Sequence, residues 1–113
     1  MNRSKNRKHT RAFALAASLF AFSIPALAQN DGATVYKSKC AGCHSPDGSG
    51  SGPAGKAMHL RDLRSPDVQK QTDADLIAIT ANGKGSMPGY KGKLTDDQIK
   101  QVVSFIRDLA KKG

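Results

Sequence analysis

Cys40-Ala41-Gly42-Cys43-His44 is the stretch on which the reading of this 113-residue chain turns. Two thiols two residues apart, with an imidazole directly after the second, form the attachment pattern of a covalently bound c-type haem. The chemistry dictates the spacing. Each thiol adds to one vinyl group of the porphyrin, and a short helical turn sets the two sulfurs apart by the separation of the vinyls. His44 then directs a ring nitrogen at the iron. Other uses of two cysteines fit less well. A thioredoxin-like Cys-x-x-Cys belongs at the end of a strand in a βαβ pattern, and no strand pattern precedes Cys40. A structural zinc site takes four ligands in pairs, whereas the chain has two cysteines. A disulfide between residues three apart is geometrically awkward.

Upstream of the motif the chain reads as a delivery segment. Met1 to Arg11 carries Arg3, Lys5, Arg7, Lys8 and Arg11 and no acid, and residues 12–24 are uncharged and mostly apolar. Pro25 breaks the run, and Ala26-Leu27-Ala28 offers the small-x-small pattern of a processing site. This order predicts a secretory signal peptide over residues 1–28, cleaved after Ala28, with residues 29–113 as a mature domain in the periplasm. No twin arginine points to the alternative export route. The apolar run is shorter than the ~20 residues that span a bilayer, so no stable membrane insertion is expected after cleavage.

Removing 28 residues leaves 85, a size at which a hydrophobic core alone is marginal and a staple is usual. A buried porphyrin is such a staple. Five of the 18 Lys and Arg residues leave with the signal, so 13 bases face nine acids, all Asp, for a net charge of +4. That excess is too mild for a nucleic-acid binder. It suits steering toward an acidic protein partner.

Downstream, the pattern is helices joined by glycine-rich loops. Asp31 is an N-cap for a first helix, on which Gly32, Tyr36 and Cys40 form one stripe running into the motif. Ser45 to Gly55 reads as loop throughout, and within it the carbonyl of Pro53 is a candidate acceptor for the second N–H of His44, a bond that fixes ring orientation. Ser65-Pro66 predicts a short helix over Pro66–Gln71, with Ser65 as its cap. Thr72 caps the next helix, whose apolar side is Leu76, Ile77 and Ile79, and Asn82-Gly83 ends it with a left-handed glycine. Thr95 and Gln98 form a capping box, and Leu94 and Ile99 have the spacing of a hydrophobic staple. Ile99, Val102, Val103, Ile106, Leu109 and Ala110 then make one continuous apolar face. No alternating strand pattern is present. The expected fold class is all-α, with three to four helices and glycine-rich loops wrapped around one haem.

The second iron ligand decides what such a haem does. One protein ligand leaves an open position for a gas, peroxide or substrate; two close it and leave electron transfer. Met87 lies in Gly83–Tyr90, between small residues and before Pro88, which biases it to extended backbone. Its soft thioether favours Fe(II) and raises the potential. His59 is the rival, and bis-histidine ligation would lower the potential, but flanked by Lys56 and Arg61 it reads as a surface histidine. Met58 reads as a pocket or core side chain.

Taken together, Gly32, Tyr36, Cys40-x-x-Cys43-His44, Gly52-Pro53, Gly83, Met87-Pro88, Tyr90 and the capped C-terminal helix resemble those of a small bacterial class I cytochrome c, over nearly all of the mature domain. The resemblance implies His44 and Met87 as axial ligands and metal-binding residues, Cys40 and Cys43 as thioether anchors, and a Gly52-Pro53 loop that orients His44. It implies that the first helix crosses the last, with Gly32 and Tyr36 against the Phe105–Ile106 region. The expected function is a soluble periplasmic one-electron carrier, with one covalent haem c per chain, acting as a monomer between redox protein partners. Lys56, Lys84, Lys91 and Lys93 are candidate charges at the haem rim. Two alternatives use the same motif: a haem subunit of a larger dehydrogenase or oxidase, and a gas-binding protein with an open sixth position. No nucleophile–base constellation or phosphate loop appears, so no enzyme is expected.

Overall fold

A computed structural model describes residues 14–22 and 31–113. The signal segment expected over 1–28, with its cleavage point after Ala28, lies outside the described residues apart from 14–22, which carry no regular secondary structure. Six helical segments follow: α1 (Gly32–Lys39), α2 (Ala41–His44), α3 (Pro53–Ala57), α4 (Pro66–Gln69), α5 (Asp73–Asn82) and α6 (Asp96–Lys112). Three of them, α1, α5 and α6, reach eight residues or more; the others are single turns. Among the described residues there are two isolated bridges, Lys84 with Met87 and Lys91 with Leu94, and no strand. The all-α expectation holds.

The longest helix organises the rest. α6 starts at the expected capping box, with Thr95 accepting from the Gln98 backbone and Gln98 accepting from the Thr95 backbone. Its apolar residues divide between two neighbours. Val102, Ile106 and Leu109 join Val35, Tyr36 and Cys40 of the α1 side, while Val103 joins Val68 and Leu76 of α4 and α5. α1 and α5 therefore pack on α6 rather than against one another. Arg107 strengthens the second contact by donating to Asp73 Oδ1 (3.0 Å) and to the Gln69 carbonyl (2.9 Å).

The α1–α6 crossing depends on glycine. A Cβ at Gly32 would collide with the carbonyl oxygen and carbon of Gln101. One turn further along both helices, the Tyr36 and Phe105 rings meet at 5.1 Å. The expected crossing of the first helix on the last, through Gly32 and Tyr36 against the Phe105–Ile106 region, is present at Tyr36, whereas Gly32 meets Gln101 one turn earlier on α6. Tyr36 and Val102 are each 1% exposed, so this crossing is the dry centre of the molecule.

Three local expectations are corrected. The segment Ser45–Gly55 contains the start of a helix, α3, because Pro53 at its first position has φ already set for helix and has no N–H to leave unpaired. The helix after Ser65 ends at Gln69 instead of Gln71, and Ser65 takes the extended N-cap backbone without a side-chain hydrogen bond. Gly83 ends α5 at φ 80°, ψ 170°, a positive-φ conformation more extended than the left-handed helical one. Thr72 caps α5 as expected, and Asp75 completes a capping box that the sequence reading did not include.

Candidate haem site

The last turn of α1 and the short α2 deliver Cys40, Cys43 and His44 to one wall of a cleft. Cys40 closes α1, its N–H bonded to the Tyr36 carbonyl at 2.8 Å. The Cys43 and His44 N–H groups both return to the Cys40 carbonyl, at 3.2 and 2.9 Å. The motif is thus one tight helical turn. Both thiols are free, with Cys40 buried and Cys43 exposed. Burial, and then the neighbouring Cys43, push the Cys40 thiol up to about 11, so it is held as a neutral thiol.

The opposite wall is the loop between α5 and α6. Lys84 and Met87 exchange both backbone hydrogen bonds (3.1 and 3.0 Å), closing a two-residue turn with Met87 at its end. Gly83 makes the turn possible: besides its positive φ, a Cβ there would stand 2.6 Å from the Met87 carbonyl oxygen and 2.8 Å from the Gly89 nitrogen. The Tyr90 and Lys91 N–H groups then satisfy the Thr80 and Ala81 carbonyls at the end of α5 (3.0 and 2.9 Å).

Between the walls lies a cavity of about 290 Å³ lined by Cys40, Cys43, His44, Met58, Leu60, Met87, Pro88 and Tyr90, with Lys39, Lys84 and Ser86 at its edge. A smaller space of about 60 Å³ is lined by the core side chains Leu76 and Ile106 and the half-buried Ile79, and also by Cys40, His44 and Met87. The four residues singled out as anchors and ligands are therefore gathered on one cleft. His59 is exposed and lines neither space. Met58, 39% exposed, lines the cavity and is not part of the core.

The residues fit a covalent haem on observations of their own. Burial holds the His44 imidazole below its ordinary pKa, which favours the neutral ring that ligation needs. Its Nδ1 is buried with no hydrogen-bond partner. The expected bond to the Pro53 carbonyl is not made. Pro53 is the first residue of α3, and first-turn carbonyls point along their own helix. The backbone beside His44 is secured elsewhere. Ser45, buried at φ 67°, accepts from the Tyr36 hydroxyl on its carbonyl (2.7 Å) and from the Gly52 N–H on its Oγ (3.1 Å). A non-glycine residue in that region is strained and persists only where its surroundings hold it. The sequence reading did not include Ser45, nor Leu60 as a lining residue; a serine after the motif and a leucine after His59 carry no distinctive local signal.

Comparison with known proteins gives the family. Residues 27–106 match the family described as "Cytochrome C oxidase, cbb3-type, subunit III". The chain is 39% identical over 82 residues to cytochrome c6 of Leptolyngbya boryana, covering 73% of this chain and 93% of that protein. It is 34% identical over 114 residues to cytochrome c6 of Gloeothece citriformis, covering 95% and 98%. Among solved structures, the c-type cytochrome KustC0563 superimposes with a TM-score of 0.65 at 28% identity, over 70% of this chain and 96% of that one. Matched along most of its length in sequence and in fold, the chain belongs to the cytochrome c family, as a small monohaem class I cytochrome c that carries electrons on a covalently bound haem c and is not an enzyme.

Proposed function

We propose that the protein is a periplasmic one-electron carrier whose haem is held by thioethers from Cys40 and Cys43 and ligated by His44 and Met87. The observation that carries this reading is the meeting of all four side chains on one cleft, from segments more than 40 residues apart in the chain. When bound, the haem supplies a one-electron Fe(III)/Fe(II) couple. The protein's share is to present a neutral imidazole from one wall and a soft thioether from the other, and to keep water from the ligands. Leu60, Pro88 and Met58 complete the lining beside these side chains. Lys39, Lys84, Lys56, Lys91 and Lys93 are exposed and form no ion pair among the described residues, which suits brief docking to an acidic redox partner. Residues 1–28 act as the export signal; no helix among the described residues is long and apolar enough to cross a membrane.

The test is spectroscopic. Protein matured in a host that attaches c-type haem is expected to show, when oxidised, the weak far-red band of a methionine–iron bond. Met87→Ala is expected to lose the band and His59→Ala to keep it; a band that survives in Met87→Ala refutes the assignment. The mass of the exported protein tests processing after Ala28.

The matched family description names an oxidase subunit, which favours one second reading, a haem subunit of a larger complex. The site chemistry is the same. Co-purification with a membrane complex at fixed stoichiometry would support that reading, and migration alone would support the free carrier.

A further inference from the structure

The two walls of the cleft are joined to α6 behind them but scarcely to each other. One wall, residues 31–60, carries Cys40, Cys43 and His44; the other, residues 66–94, carries Met87. Among the described residues a single hydrogen bond runs between these two segments: the Tyr90 hydroxyl donates to the Lys39 carbonyl at 3.0 Å. No ion pair joins them. Both residues of that bond line the cavity. Lys39 is the residue before Cys40, and Tyr90 comes three residues after Met87.

Tyr90 is also well anchored on its own side. Its N–H is bonded to the Thr80 carbonyl of α5, and its carbonyl accepts from both Lys93 and Leu94 at 2.9 Å. The ring is half-buried and lines the cleft, so the hydroxyl is held at a defined place rather than on a free side chain. Its acceptor is equally placed, since Lys39 is in the last turn of α1, next to the Cys40 N–H that closes the helix.

We infer that Tyr90 is a positioning residue: its hydroxyl latches the Met87 loop across the mouth of the cleft and so controls how readily the sixth iron position opens to an outside ligand. The inference rests on Met87 being that ligand. With the latch closed, the Met87 turn is held against the Cys40–His44 wall. With it broken, the turn stays tied to α5 through Thr80 and Ala81 but is free to swing on that hinge.

The experiment is uptake of imidazole by the oxidised, haem-loaded protein, followed by loss of the far-red methionine–iron band. Tyr90→Phe keeps the ring and removes the donor. It is expected to leave the resting band in place and to speed imidazole uptake about fivefold, the factor that one neutral hydrogen bond of about 1 kcal/mol converts to. Asp31→Ala serves as the control for general loss of stability, because it removes the cap at the far end of α1; it is expected to lower the unfolding temperature and leave the uptake rate unchanged. Uptake by Tyr90→Phe at the parent rate, or an equal acceleration in Asp31→Ala, overturns the latch alone. A parent protein with no band overturns the ligation reading and the latch with it.

Discussion

The α1–α6 crossing and the loop from Gly83 to Leu94 both place residues on the haem cleft, yet they are held by different physics. The crossing is dry and dense: Tyr36 and Val102 are almost wholly buried, and helix backbone meets helix backbone at Gly32. Interiors packed in this way resist any added volume. The loop instead borders an open cavity, exposes Lys84, Gly85, Ser86 and Pro88, and keeps its shape through backbone hydrogen bonds, three positive-φ glycines (Gly83, Gly85 and Gly92) and the Tyr90 bond to α1. A scaffold of the first kind sets stability; a segment of the second kind sets where the Met87 side chain stands. The two properties are therefore expected to respond to different mutations.

The largest effect should come from Gly32→Ala. The new Cβ meets backbone, which cannot turn aside, so the helices must separate, at a cost of about 3 kcal/mol or more. Urea or thermal unfolding measures it, and the far-red band of the surviving folded protein should be unchanged. If Gly32→Ala removes the band as readily as it lowers stability, the division between scaffold and loop fails. Gly83→Ala is the converse. Its Cβ would press on the Met87 carbonyl at a φ that alanine adopts with strain, and the expected loss of stability is smaller, about 1–2 kcal/mol. The band should be weakened or lost in this variant, which the same absorption spectrum reads.

A third, smaller effect lies away from both regions. The Arg64 guanidinium, bonded to Asp62 at 3.0 and 2.9 Å, holds the Asp62 carboxyl below its ordinary range. A lowered native pKa means a contribution fully present above the unfolded carboxylate value and lost as pH falls through the native one. Asp62→Asn should remove it. Because both side chains touch solvent, the change in stability at neutral pH is expected to be about 0.3 kcal/mol, shrinking toward zero in an unfolding series taken down to about pH 2. Neither the band nor imidazole uptake should move.

Signals that act within a few residues were legible in the sequence. The Cys40–His44 turn, the Asp31 and Thr72 caps, the Thr95–Gln98 box and the apolar face of α6 all depend on neighbours at spacings of two to four, so the local pattern carries the whole interaction. Glycine at position 32 was readable as a close approach, but its partner was not. That partner depends on where along α6 the crossing falls, which is a property of the packed pair. The Pro53 segment was misread for the opposite reason: a run of Gly, Ser and Pro looks like loop even where proline starts a helical turn.

The order of the motif, the Met87-Pro88 loop and the capped last helix determined by themselves the family and its covalent haem, because thioether attachment needs two thiols and an imidazole at one fixed spacing. Only the tertiary structure decided which side chains share the cleft. It brought Met87 onto the same cleft as His44 and left His59 outside, left Nδ1 of His44 without the Pro53 carbonyl, secured Ser45 through Tyr36, and tied Tyr90 to Lys39 across 51 residues of chain. Contacts at such separations depend on α1 and α5 both packing on α6, since it is the burial of their apolar faces on that helix that holds the two walls within reach.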